Sequence, residues 1–262
     1  MEKRGKLVIK VNRLLKQINC PRYLHHFGPK KYAFAHHALA LLLKEVFRLS
    51  FRRVADMLEN FYRIPTYSAL CRMRKRIPLW IWNSLLRITA GVYHPAVAVD
   101  ATGFSRTNPS WHYVKRIDRK EAVNRYIKLS AFFDLRKKKF LALRIRSRPR
   151  HESKDINYLL EKEHSMKQLF GDSAYDIESL HLKCLELGVQ TIIKPKRNVQ
   201  RGWGRRKQMK KYSEEEYHQR CLIEGGFSSL KRKYGSYVLA RKIAGVRAEL
   251  YCKAIAHNLS LS

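Results

Sequence analysis

The sequence predicts an α/β fold: a mixed five-stranded sheet flanked by helices, with an N-terminal helical region of helix-turn-helix character ahead of it. Two observations carry this. Residues 1–95 read as helical, whereas from residue 96 onward short runs rich in β-branched and aromatic residues alternate with helical segments. The order in the second region is strand, strand, strand, helix, strand, helix, strand, helix. A hairpin followed by crossovers of this kind builds a mixed sheet with helices on its faces. The chain of 262 residues, 45% of them hydrophobic, is long enough for a sizeable core. The boundary expected from the change in texture divides a helical region, 1–95, from an α/β region, 96–262.

In the first region HHALALLLKEVFRL has apolar residues at helical spacing. SFRRVADMLENFYRIPTYSALCRMRKRI reads as two helices broken at Ile64–Pro65, with Val54, Leu58 and Phe61 on one face of the first. Thr66 is placed to cap the second, which carries Tyr67, Leu70 and Arg74 on one face and Arg72, Lys75 and Arg76 elsewhere. A helix-turn-helix presenting Arg72, Arg74, Lys75 and Arg76 to DNA fits this pattern. An ordinary helical hairpin with a solvated basic face fits it too.

In the second region AVAVDATGF, RYIKLSAFFDL and KFLALRIRS are strand candidates, the last two joined as a hairpin across Arg136, Lys137 and Lys138. SKDINYLLEKEHSM reads as a helix capped by Ser153, KQLFGDSAYD as a fourth strand entering a turn, IESLHLKCLELG as a helix closed by Gly188, and VQTIIKP as the fifth strand. RNVQRGWGRRKQMKK lacks apolar periodicity and reads as a basic loop. SEEEYHQRCLIEGGFSSLKRKYG and AGVRAELYCKAIAHNLSL then read as helices.

Charge points to the partner. Lys plus Arg number 55 against 21 Asp plus Glu, a formal net charge of +34. Such an excess calls for a polyanion; nucleic acid comes first, and an anionic membrane second because no interfacial helix or polybasic tail stands out. Five scattered cysteines without a CxxC pair argue against a zinc site or disulfide framework. The longest aliphatic run, ALALLL, is too short to cross a bilayer, and the N-terminus lacks a signal-peptide core. A cytoplasmic, nucleoid-associated protein is the expectation.

Among so few acids, placement selects candidates. Asp100 ends the apolar run AVAVD, and Asp172 ends LFGD. A carboxylate there is costly unless paired, and two from neighbouring strands can hold Mg²⁺ or Mn²⁺ through hard oxygen donors. A third from a helix over the sheet edge would complete a two-metal site. YHQRCLIEGGFSSLK supplies Glu224. Arg220, Glu224 and Lys231 follow Tyr217 by 3, 7 and 14 residues, and on a helix all four fall within an arc of about 60°. Leu222, Ile223, Leu230 and Tyr234 group on the other side. Spacing alone leaves a solvated, salt-bridged stripe as the alternative.

The pattern Y-x2-R-x3-E-x6-K, met by Tyr217, Arg220, Glu224 and Lys231, resembles the signature around the catalytic glutamate of insertion-sequence DDE transposases. AVDATGF and GDSAYD resemble the family's two aspartate motifs, SFRRVADML with IPTYSALCRMRKR its N-terminal helix-turn-helix region, and IIKPKRN its segment after the last strand. The resemblance implies a ribonuclease H-like catalytic domain in which Asp100, Asp172 and Glu224 hold two Mg²⁺ (or Mn²⁺) ions. It implies in-line displacement at phosphorus that cuts at insertion-sequence ends and joins them to a target. It further implies double-stranded DNA as partner, both terminal inverted repeats and target, a homodimer in the synaptic complex, and DNA handling by Tyr217, Arg220 and Lys231. The last loop is too short to contain the insertion domain of some relatives.

RKKKFLALRIRSRPR and KPKRNVQRGWGRRKQMKK can line a DNA channel, with Trp203 stacking on a base and Arg205 and Arg206 on phosphates. Asp118, Asp134, Asp155 and Asp176 are rival carboxylates, Asp134 as a turn residue and Asp176 as a helix cap. The pairs His25–His26 and His36–His37 lack ligand spacing, and Cys221 reads as packing. Two other functions remain open: an inactive or domesticated DNA-binding relative, and a ribonuclease H-like nuclease without strand transfer.

Overall fold

The strand Ala96–Ser105 (β1) lies at the centre of a five-stranded sheet ordered β3-β2-β1-β4-β5. The computed structural model describes the chain except for residues 1–4, 25, 26, 28, 29, 60–63, 107–125, 149, 152, 164, 198–200 and 262. Phe61, His25, His26 and Asp118 therefore lie outside the described residues. Tyr126–Asp134 (β2) runs antiparallel to β1, and Lys139–Arg146 (β3) antiparallel to β2. Gln168–Gly171 (β4) is parallel to β1, and Gln190–Ile193 (β5) parallel to β4. The mixed sheet is as expected. Asp134 does turn the hairpin, accepting the Arg136 and Lys137 backbone N–H groups at 2.7 and 2.8 Å.

Side-chain alternation sends successive strand residues to opposite faces. Val97, Val99, Leu169 and Ile193 meet Ser153–Lys162 (α6) and Glu178–Glu186 (α7) through Ile156, Leu159, Leu160, Leu180 and Cys184. Ala96, Ala98, Phe170 and Ile192 face the other layer, which includes Cys221–Tyr234 (α10) and Ile243–Ser260 (α11). That second core continues without interruption into the N-terminal helices Gly5–Gln17 (α1), Phe34–Val46 (α2), Phe51–Glu59 (α3), Tyr67–Arg76 (α4) and Leu79–Ala90 (α5).

Helix α2 is apolar nearly all round, the mark of a buried helix, and Ala38 to Leu43 are indeed buried. Helix α11 is buried along most of its length because its polar residues find partners. Asn258 pairs with both the N–H and C=O of Phe140 at 2.9 and 2.8 Å, and the Lys253 amine donates to the Gly235 and Tyr237 carbonyls at 3.1 and 2.7 Å. Lys44, Glu45, Arg74 and Glu249 gather between α2, α4 and α11, with Lys44 bound to Glu45 at 2.6 Å. No helix among the described residues is long and apolar enough to cross a membrane.

Several expectations are revised. Helices α1 and α5 fall in the region read as helical, although no bounds were assigned to them there. The basic loop contains a helix, Trp203–Met209 (α8), and the signature helix is split. Glu214–Tyr217 (α9) gives way to a 3₁₀ turn, His218–Arg220, before α10. Leu222 is exposed rather than in the core beside Ile223, Leu230 and Tyr234. Ser153 is the first residue of α6, its hydroxyl 2.7 Å from His151 Nδ1, and Thr66 precedes α4 without a side-chain cap.

Candidate active site

Asp100 lies in β1, and Asp172 comes just after β4, the parallel neighbour of β1. The pairing of Ala98 with Phe170, extended by two residues, sets them side by side, and alternation aims both at the face covered by α10. Asp100 lies within β1 rather than at its end; β1 continues to Ser105. Asp172 directly follows β4 and caps the 3₁₀ turn Ser173–Tyr175. Each aspartate is oriented by its own backbone: Asp100 Oδ1 accepts from the Ala101 N–H and Asp172 Oδ1 from the Ala174 N–H, both at 2.8 Å. Helix α10 contributes Glu224 from its first turn.

What fixes α10 over the sheet is a close approach. A Cβ on Gly226 would stand 2.6 Å from two ring carbons of Phe133 on β2, so only glycine lets the helix come this near. Gly225 has no such neighbour within 4 Å. The adjacent glycines thus differ: one is a contact, the other faces open space.

Arg220, one turn before Glu224, reaches across to β1. Its Nη1 donates to Asp100 Oδ2 at 3.2 Å, and its Nη2 donates to Glu224 Oε1 at 2.7 Å. Burial by itself would depress the guanidinium pKa. The charges of Asp100, Tyr217 and Glu224, with Asp172 behind them, hold it above its ordinary value. The three carboxylates offer only hard oxygen donors, a set that suits Mg²⁺ or Mn²⁺. Yet among the described residues no three His, Cys, Asp or Glu side chains are gathered closely enough to hold a metal ion. The Arg220 guanidinium links Asp100 to Glu224.

The remaining signature residues surround this centre. The Lys231 amine lies 5.4 Å from the Phe104 ring centroid, and burial lowers its pKa from 10.5. Tyr217 packs 6.1 Å from the Tyr212 ring, with the Lys194 amine 5.9 Å from its own. Lys194 follows β5 and was not singled out by the sequence; its place in the KPKRN segment was the available signal. Trp203 is exposed, with Lys207 5.0 Å from its ring, and Arg206 is also exposed. Arg72, Lys75 and Arg76 are exposed on α4.

Two expected DNA contacts turn inward. Arg205 Nε donates to Asp176 at 2.8 and 2.9 Å, and the residue is buried. Asp176 does not cap α7, whose N-cap is Ile177; its carboxylate also accepts from the Lys196 N–H at 2.8 Å and sits 3.0 Å from His181 Nε2. Arg74 lies over Phe51 at 4.9 Å and 4.0 Å from Glu249, because α4 presses that face onto α11. Among the rivals, Asp155 on α6 is buried on the opposite sheet face, accepting from Ser130 at 2.8 Å and pairing with Arg146, and Asp134 sits 2.8 Å from His94. Neither carboxylate faces α10. All five cysteines are free thiols.

The fold is thus α/β, with acidic side chains presented from a central strand, from the end of its parallel neighbour and from a covering helix. Residues 94–259 match the family described as Transposase DDE domain, and the chain belongs to that family. No curated protein matches it. Two solved structures are similar at low identity. A piggyBac transposase synaptic complex with hairpin DNA is 12% identical, over 97% of this chain and 72% of that one, with a TM-score of 0.47. A pre-cleavage Mos1 transpososome is 10% identical, over 93% and 82%, with a TM-score of 0.22.

Proposed function

We propose that the protein is a transposase that cleaves DNA at insertion-sequence ends and joins those ends to target DNA, with Asp100, Asp172 and Glu224 as its divalent-cation ligands. The observation that supports this is the placement of the three acidic positions: one aspartate in β1, one directly after its parallel neighbour β4, and a glutamate tied to the first of them through Arg220. Bound Mg²⁺ or Mn²⁺ would supply charge neutralisation at the reacting phosphate and a more acidic water or 3′-hydroxyl. Asp100 and Asp172 are each steadied by a backbone N–H on one carboxylate oxygen, at the sheet face covered by α10. Lys231, half-buried at the end of β1, is placed to meet a phosphate, and Arg220 can do so with its planar fork. Tyr217 lies at the β4–β5 edge, where a ring can support the strand beside the cut.

DNA running from this centre meets Trp203 and Arg206 on α8 and Arg72, Lys75 and Arg76 on α4. Arg205 and Arg74 act through the protein instead, by holding α8 and α4 in place. A net charge of +34 matches a polyanionic partner and predicts affinity that falls steeply with salt. Synapsis of two ends calls for a homodimer, and a nucleoid location follows from the substrate.

The test is incubation of the full chain with Mg²⁺ and DNA carrying the flanking inverted repeats. Cleavage and joining are expected, both lost in Asp100→Ala and Glu224→Gln while DNA binding is retained. Cleavage that persists in either variant removes the triad. Cleavage without joining assigns a nuclease, and binding without cleavage in the wild type assigns a DNA-binding relative.

A further inference from the structure

Arg220 occupies an unusual position for a residue expected to bind DNA. Its guanidinium donates to Asp100 at 3.2 Å and to Glu224 at 2.7 Å, one carboxylate on the central strand and the other on α10. The arginine side chain is only 18% exposed, whereas Glu224 is 58% exposed, so the contact is anchored at the strand and open on the helix side. Asp100 Oδ1 accepts from the Ala101 N–H, and Oδ2 is the oxygen Arg220 takes. A divalent cation held between Asp100 and Glu224 competes with Arg220, which binds Asp100 Oδ2 and Glu224 Oε1. Both charges cannot share them without repulsion at close range.

We propose that Arg220 is a displaceable counter-ion of this site, which holds Asp100 and Glu224 closed to divalent cations in the DNA-free protein and releases them when a DNA phosphate takes its guanidinium. This rests on the reading of Asp100, Asp172 and Glu224 as the cation ligands. A phosphate presents oxygens at a spacing close to that of a carboxylate, so the same fork pairs with either. Arg220 ends the 3₁₀ turn His218–Arg220, the point where the helix changes its repeat, and such turns are where helices hinge. Cation and DNA then favour each other reciprocally: each binds better once the other has drawn Arg220 off or filled its place. A chain built this way carries little cation at its site until DNA is present.

The experiment measures Mn²⁺ binding to the full chain by electron paramagnetic resonance, with and without a short DNA duplex at low salt. Arg220→Gln should bind Mn²⁺ about tenfold more tightly than wild type without DNA, equivalent to about 1.4 kcal/mol. Duplex should tighten Mn²⁺ binding to the wild type and leave Arg220→Gln unchanged. Arg220→Lys, which keeps a charge but cannot span both carboxylates, should fall between, and it decides the matter if Arg220→Gln fails to fold by circular dichroism. Mn²⁺ binding to the folded variants that is no tighter than wild type overturns the proposal, as does a wild-type affinity indifferent to duplex. The site reading fails separately. Mn²⁺ binding undiminished in Asp100→Asn and Glu224→Gln places the cation elsewhere and removes the counter-ion role with it. Binding lost in those two but unchanged in Arg220→Gln overturns the counter-ion role alone.

Discussion

Adding one methyl group at each of two adjacent residues should move stability in opposite directions. In Gly226→Ala the new Cβ would stand 2.6 Å from Cε2 and Cζ of Phe133. Phe133 cannot retreat easily: it is 1% exposed, its ring centroid lies 5.0 Å from that of Phe140, and Phe140 is held in turn by Phe227 at 5.7 Å and His257 at 5.2 Å. Overpacking of this kind costs about 1–3 kcal/mol, and replacing glycine by alanine in a helix returns about 1 kcal/mol. The net expectation is a loss of up to about 2 kcal/mol, or up to roughly 8 °C in Tm for a chain of this size. In Gly225→Ala the Cβ meets nothing within 4 Å, so the helix-propensity gain of about 0.5–1 kcal/mol stands alone. Thermal and urea unfolding followed by far-ultraviolet circular dichroism measures both. A Gly226→Ala variant melting at or above wild type, or a Gly225→Ala variant falling with it, would refute the packing reasoning.

Asp176→Asn leaves the Arg205 guanidinium buried without its carboxylate, a loss of about 3–5 kcal/mol for a broken buried pair. Faster proteolysis within 197–211 should accompany it, since α8 is held there; unchanged urea midpoint and cleavage pattern contradict this. Acid should destabilise the protein in two stages. Burial keeps the His181 and His257 pKa values below 6.5, so the unfolded chain takes up protons first and stability declines as pH falls below 6.5. Burial also raises the Asp134 and Asp176 carboxyls, but hydrogen bonds from His94 and from Arg205 outweigh it and hold both below 3.8. Their contribution is present above 3.8 and is lost as pH drops through the lower folded-state values. A urea midpoint that is flat from pH 7 to about 5 contradicts the histidine stage.

The strands were legible because their burial is written locally: AVAV and IIK, like LSAFF, are runs that suit a covered sheet whatever lies elsewhere. Glu224 was legible because helical spacing set it with Arg220 on one face, and the pair does form. What could not be read depended on distant partners. Nothing near Arg74 announces Glu249, and nothing near Arg220 announces that its other hydrogen bond goes to β1. Helix α8 has little apolar periodicity because polar contacts hold it: Glu178 accepts from the Gly204 and Arg205 N–H groups, and Gln208 bridges Val189 and Thr191. The 3₁₀ turn within the signature likewise leaves no mark in spacing, since three residues per turn and 3.6 diverge little over so short a span.

Helix α11 comes after every strand in chain order, yet α2, α4, α5 and β3 all pack against it. During synthesis the N-terminal helices and the sheet must therefore wait, half-covered and strongly cationic, for a partner made about 200 residues after α2. Until α11 leaves the ribosome, the nascent chain exposes an unfinished apolar face beside a large excess of positive charge. The last helix to be made is the one that closes the core.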